Sequence, residues 1–200
     1  MRLHVPPRML LLALAATMLA ALPACDGNKN DDDDDYEIPR YTAPLASKGG
    51  EASMNRMLAT VRAATARFHD VAAAEAAGYV STGECVALPG VGAMGIHYVN
   101  PPLMGDAGFD PARPEVLVYE PQADGSRRLV AAEFLVFRAP WDAAHAAAPA
   151  FGSQAFDQSF GAQAHGLPDH YELHLWLWRH NPAGMFASWN SKVSCAGAQV

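Results

Sequence analysis

The sequence predicts an α+β fold, with one long amphipathic N-terminal helix packed on a mostly antiparallel sheet of about four strands. Three observations carry this reading. Met54, Met57, Leu58, Val61, Ala64, Thr65, Phe68, Val71 and Ala72 recur at helical spacing. Two apolar runs, Glu115 to Glu120 and Leu129 to Phe137, flank Pro121-Gln122-Ala123-Asp124-Gly125-Ser126, a turn sequence that joins them as a hairpin. Finally, His170 to Trp178 alternates as a half-buried strand does. A helix followed by consecutive strands buries both apolar surfaces when the helix lies across one face of the sheet.

Taken in order, the 200-residue chain opens with Arg2 and Arg8 before the apolar run Met9 to Leu22. That run is short for a bilayer span and reads as the core of a secretory signal. It closes with Leu22-Pro23-Ala24-Cys25, which resembles a bacterial lipoprotein signal. The resemblance implies that residues 1–24 are a signal peptide and that Cys25 carries a lipid. It also implies an exported protein of the cell envelope, facing the periplasm, whose membrane contact is that lipid. Residues 25–50 hold Asp31 to Asp35, then Pro39, Pro44, Gly49 and Gly50, the composition of an acidic flexible tether. Residues 51–200 read as a single α+β domain.

The formal net charge is −7, with no basic patch to neutralise phosphates, so nucleic acid is excluded as a partner. With Cys25 lipidated, Cys85 and Cys195 remain, and an even pair in an oxidising compartment reads as a disulfide. Closing a loop of that length stabilises on the order of 3 to 5 kcal/mol.

Within the domain, Ser53 is a plausible N-cap, and Gly78 suits the position just past the helix. Pro89, Gly90, Gly92 and Gly95 mark a loop, and Met94 to Asn100 is a short strand closed by Pro101-Pro102. After the hairpin, residues 139–169 show no clear period and read as a long binding loop or lid, with His145 and His165 exposed. In the last strand Tyr171, Leu173, Leu175 and Leu177 form an apolar row, while His170, Glu172, His174, Trp176 and Trp178 line the other face.

Three residues stand out against their surroundings. Glu133 interrupts a run that is apolar on both faces, where an unpaired carboxylate is costly. His97 sits among Ile96, Tyr98 and Val99, and His174 is central in the last strand. If these strands are neighbours, two imidazoles and a carboxylate converge, a donor set suited to Zn, Fe(II) or Mn. Met94 and Met104 around His97 would add soft donors suited to Cu. Glu172 and His170 are the acid/base candidates beside such a metal, and Tyr98 and Trp176 the candidates for shaping a small-molecule side. The competing expectation pairs Glu133 with Arg138 or Arg179 and His174 with a backbone carbonyl. No Gly-x-Ser-x-Gly elbow is present, and Gly90 to Gly95 lacks the strand and helix of a dinucleotide loop. The functional classes left are a small metalloenzyme, a metal-free ligand-binding or copper-handling lipoprotein, and an envelope interaction protein.

Three segments together resemble a family of uncharacterised exported bacterial proteins: Ala66-Arg67-Phe68-His69-Asp70 to Ala77-Gly78-Tyr79, Gly92 to Pro101, and His174 to Phe186. The resemblance covers roughly residues 55–195 and implies export, with no activity attached. Separately, Glu172-Leu173-His174-Leu175 is similar to one zinc-bearing strand of the alpha-type carbonic anhydrases, although the companion strand with its His-x-His pair is missing.

Overall fold

A computed structural model describes residues 48–105, 108–160 and 166–198, all within the compact unit Pro44–Val200. The signal peptide, Cys25 and the aspartate run lie outside the described residues, as does His165. No helix among the described residues is long and apolar enough to cross a membrane.

The apolar stripe does form a helical layer, but it is interrupted. Helix α1 (Lys48–Thr65) passes into a 3-10 turn (Ala66–His69), then into α2 (Val71–Ala76). Lys48 to Gly50 thus belong to the helix and not to the tether. The interruption falls at Asp70, whose backbone is extended (φ −85°, ψ 111°) and whose side chain accepts the Ala72 N–H at 3.0 Å. An aspartate in that role starts a new helix. The break frees the Phe68 carbonyl, which accepts the Tyr119 hydroxyl at 2.6 Å and so pins the helical layer to the sheet. Gly78 follows α2 with the left-handed φ of +94° expected of it.

The sheet has six strands where about four were expected. They are β1 (Val80–Leu88), β2 (Gly92–Val99), β3 (Val116–Pro121), β4 (Arg127–Phe137), β7 (Asp157–Ser159) and β8 (His170–Leu175). Their order is β1-β2-β3-β4-β8-β7, every pairing antiparallel. Strand β1 escaped the sequence reading because its first half is polar and exposed. Residues 139–169 are not one irregular loop: they supply α4 (Arg138–Ala144), a small hairpin of β5 (Ala150–Phe151) and β6 (Gln154–Ala155), and the edge strand β7. Helix α3 (Pro101–Met104) follows β2, and its two prolines suit a first helical turn.

Alternation divides the strands between two faces. Phe134, Val136, Tyr171, Leu173 and Leu175 pack with Leu58 and Val61 of α1 and with Phe151 and Phe156. Ile96, Tyr98, Leu117 and Tyr119 pack with Phe68, Ala74 and Tyr79. Each fully buried side chain of this size contributes about 1.5–3 kcal/mol of burial. The opposite face is left uncovered by α1 and α2, with only the short α3 against it, and it carries the candidate site.

The C-terminal segment wraps the end of the sheet without forming a strand. The Trp176 N–H bonds the Met185 carbonyl, Ala93 and Asn190 exchange backbone hydrogen bonds, and Arg179 donates to the Lys192 carbonyl. The Cys85–Cys195 disulfide, Cα–Cα 5.7 Å, ties this segment to β1.

Candidate metal centre

His97 comes from β2, Glu133 from β4 and His174 from β8, and register brings them together. Glu133 lies directly opposite His174 across the β4–β8 ladder, and opposite Val116 of β3. His97 reaches the same point from one strand beyond, across the small Val118 with which it is paired. A bulge prepares this arrangement. Val86 pairs with Gly95 but Ala87 with Ala93, so Met94 is the extra residue and shares a face with His97. Gly95 makes the bulge sterically feasible: its φ is +117°, and a Cβ there would lie 2.6 Å from the Tyr119 carbonyl oxygen.

One carboxylate oxygen faces both imidazoles. Glu133 Oε2 is 3.4 Å from His97 Nε2 and 3.7 Å from His174 Nε2. The rings stand nearly perpendicular, with centroids 5.9 Å apart. One donor atom from each of the three residues lies within 4.8 Å of the others. A tetrahedral ion with bonds of about 2.1 Å needs donors about 3.4 Å apart, so both carboxylate–imidazole separations suit it. Glu133 and His174 are buried, and His97 is largely so.

Two observations tell against the arginine and backbone pairings that the sequence offered as the alternative. The arginines that could have neutralised Glu133 are engaged elsewhere: Arg138 pairs with Asp142 at 3.2 Å, and Arg179 donates to the Lys192 carbonyl. On His174, Nε2 is buried without any hydrogen-bond partner. Such an orphaned donor or acceptor costs about 1–3 kcal/mol. A cation between Nε2 and the carboxylate oxygen that the two imidazoles share would satisfy it.

The electrostatics agree. Burial, above all, raises the Glu133 carboxyl to about 7, with the His97 charge acting against it. Burial likewise depresses the His174 imidazole to about 4, opposed by the Glu172 and Asp157 charges. At neutral pH His174 is therefore a neutral ring, the form that binds a metal, and Glu133 is poised to exchange a proton for one.

Beside the triad lies a second pair. His170 Nδ1 faces the Pro168 carbonyl at 2.9 Å, and its Nε2 faces Glu172 Oε2 at 3.2 Å. An acceptor at each ring nitrogen favours the doubly protonated form of His170, in which Nε2 donates to Glu172. Burial opposes the charge on each, but their hydrogen bond outweighs it, raising His170 and holding Glu172 below the usual carboxylate range, helped there by Ser159.

All five residues border one cavity of about 560 Å³. Its rim includes Thr82 and Glu84 of β1, which the sequence reading missed. They sit in a second irregularity, where Ser81 pairs with Tyr98 but Cys85 with Ile96, so that three residues of β1 face one of β2. Ser81-Thr82-Gly83-Glu84 beside Cys85 was the available signal, since Gly inside a strand suggests a bulge. The other recruit is Ser159, placed beside His170 by the β7–β8 register.

Two expected pocket residues are elsewhere. Tyr98 points to the helix-covered face and packs on Tyr119, ring centroids 4.7 Å apart, because it is the strand neighbour of a cavity-facing His97. Trp176 lies past the end of β8, buried among Ala93, Val118, Val130 and Val193, with its indole N–H donated to the Ala187 carbonyl. It flanks His174 in a stacked arrangement, centroids 6.1 Å apart, but does not line the cavity. Trp178 crosses to the helical side and donates to Thr65 Oγ1 at 3.2 Å.

Comparisons of the chain with models of protein families, with curated proteins and with solved structures gave no match. The site is therefore read from its own chemistry.

Proposed function

We propose that this protein is a lipid-anchored envelope protein that binds one divalent cation through His97, Glu133 and His174 and presents it to a small molecule in the adjoining cavity, as a small metalloenzyme. The observation that carries the reading is the orphaned, buried Nε2 of His174 aimed at a carboxylate oxygen that a second imidazole shares. Three protein donors leave coordination positions open, the pattern of catalytic and not of closed structural sites. Two imidazoles and one carboxylate suit Zn, Fe(II) or Mn, and such an ion supplies Lewis acidity or an activated water. The protein supplies the rest: Glu172, fixed by His170 and Ser159, is placed to accept a proton in the cavity, and His170 to return one. Lipidation at Cys25 would hold the domain at a membrane surface, consistent with the acidic spacer that follows.

Copper handling is the second reading, favoured by one feature: Met94 and Met104 are both buried in the wall of the same cavity. Metal analysis tests both. Protein purified without a polyhistidine tag is expected to hold close to one equivalent of Zn, Fe or Mn, and His97→Ala and His174→Ala to lose it. A preference for Cu(I) that Met94→Leu abolishes would select copper handling. A metal-free, correctly folded wild type that takes up no added ion would overturn both.

A further inference from the structure

We propose that the occupant of the cavity is a small monocarboxylate with a hydrocarbon body, its carboxylate on the metal and its chain along the apolar wall. This rests on the metal reading above. Polar and apolar groups are segregated in the cavity. His97, Glu133 and His174 lie together at the floor, while Val99, Met104, Val116, Leu135 and Phe137 form a continuous apolar cluster beside them. Leu167, itself over a third exposed, extends that wall toward solvent. A ligand matching this pattern is polar at one end and apolar along its length.

Charge selects the polar end. A divalent ion held by one carboxylate and two neutral imidazoles leaves one net positive charge at the floor, which suits a monoanionic oxygen head. A second negative charge on the ligand would be opposed by Glu84, which also borders the cavity, whereas Glu172 is engaged by His170. Among the described residues, no lysine or arginine lines it to neutralise that charge. Phosphates and dicarboxylates are thereby disfavoured. A simple cation is disfavoured by the metal itself and by the hydrocarbon wall.

Gly105 supplies a test that spares the floor. It borders the cavity at the end of α3 with φ −83°, which any residue adopts, and the nearest atom to an added Cβ is the Pro102 carbonyl oxygen, 4.0 Å away. Gly105→Phe should occupy part of the apolar space without disturbing the ligands.

The experiment titrates Co(II)-loaded protein with acetate, butyrate, hexanoate and octanoate, following the cobalt absorption bands and binding heats, with inorganic phosphate and succinate as comparators. Affinity is expected to rise about fourfold per added methylene, each acid perturbing the same bands, with octanoate above both comparators. Gly105→Phe should bind cobalt and acetate as the wild type does but lose at least tenfold in octanoate affinity. Affinity independent of chain length, or phosphate binding tighter than hexanoate, on protein that holds one cobalt would overturn this inference alone. Protein that takes up no cobalt would take the metal reading down with it.

Discussion

The two faces of strand β8 are made from six consecutive residues, yet they do opposite work. Tyr171, Leu173 and Leu175 are buried under α1 and its neighbours as part of one apolar cluster. His170, Glu172 and His174 are also mostly buried, but against a cavity, with one ring nitrogen unpartnered. The first face supplies the stability that lets the second tolerate desolvated polar groups. Folding alone would be better served by apolar residues on both sides, so the polar face is where selection for function is to be sought.

Breaking the apolar face should therefore cost the most stability and the least chemistry. Phe134→Ala, at a fully buried position between Phe151 and Phe156, is expected to lower unfolding free energy by about 3–5 kcal/mol, while the folded fraction still binds metal. Urea unfolding alongside metal titration checks both halves. On the polar face, His97→Ala should weaken metal binding by at least about a hundredfold, a larger loss than removal of an outer partner causes, with stability little changed.

Acid titration sharpens the contrast. For Glu133 the folded value, about 7, is above its ordinary 4.5, so its contribution to stability is present below 4.5 and lost as pH rises through 7. For His174 the folded value, about 4, is below its ordinary 6.5, so its contribution is present above 6.5 and lost as pH falls through 4. The two slopes oppose each other between about pH 4.5 and 6.5. In chelator-treated protein they should nearly cancel, whereas the single variants should separate them. His174→Gln should lose on the order of 2 or 3 kcal/mol as pH rises from 4.5 to 7, and Glu133→Gln a similar amount as pH falls from 6.5 to 4. Denaturant melts across pH would refute the assignment if both variants sloped the same way.

The smallest effect is expected at Ser159. Ser159→Ala removes one donor to Glu172 but leaves His170 in place, and should cost about 1 kcal/mol or less. Its signature is an upward drift of the Glu172 titration measured by carbon-13 NMR, with metal affinity unchanged.

How much of this was legible in the sequence follows from the same two faces. His97, Glu133 and His174 could be named because each interrupts apolar neighbours, and burial of a polar group needs a reason that sequence alone can pose. His170 and Glu172 followed from strand alternation. The same alternation, applied to His97, would have sent Tyr98 to the far face. Trp176 was misplaced because β8 ends at Leu175, where the backbone turns to pair with Met185, and periodicity does not register a strand end set by a distant segment. The α1–α2 break was overlooked because apolar spacing continues through Asp70, whose capping role depends on one backbone angle. Glu84 was missed because its direction is set by a bulge, which depends on register with β2. The Cys85–Cys195 bridge was readable by counting.

The most direct measurement is anomalous diffraction from crystals of protein grown with Zn(II) or Mn(II). One anomalous peak is expected at about 2.1 Å from the Nε2 atoms of His97 and His174 and from a Glu133 oxygen, open toward the cavity. Crystals that bind the ion only elsewhere, or that show Glu133 and the two imidazoles joined by a water with no ion between them, would contradict the account.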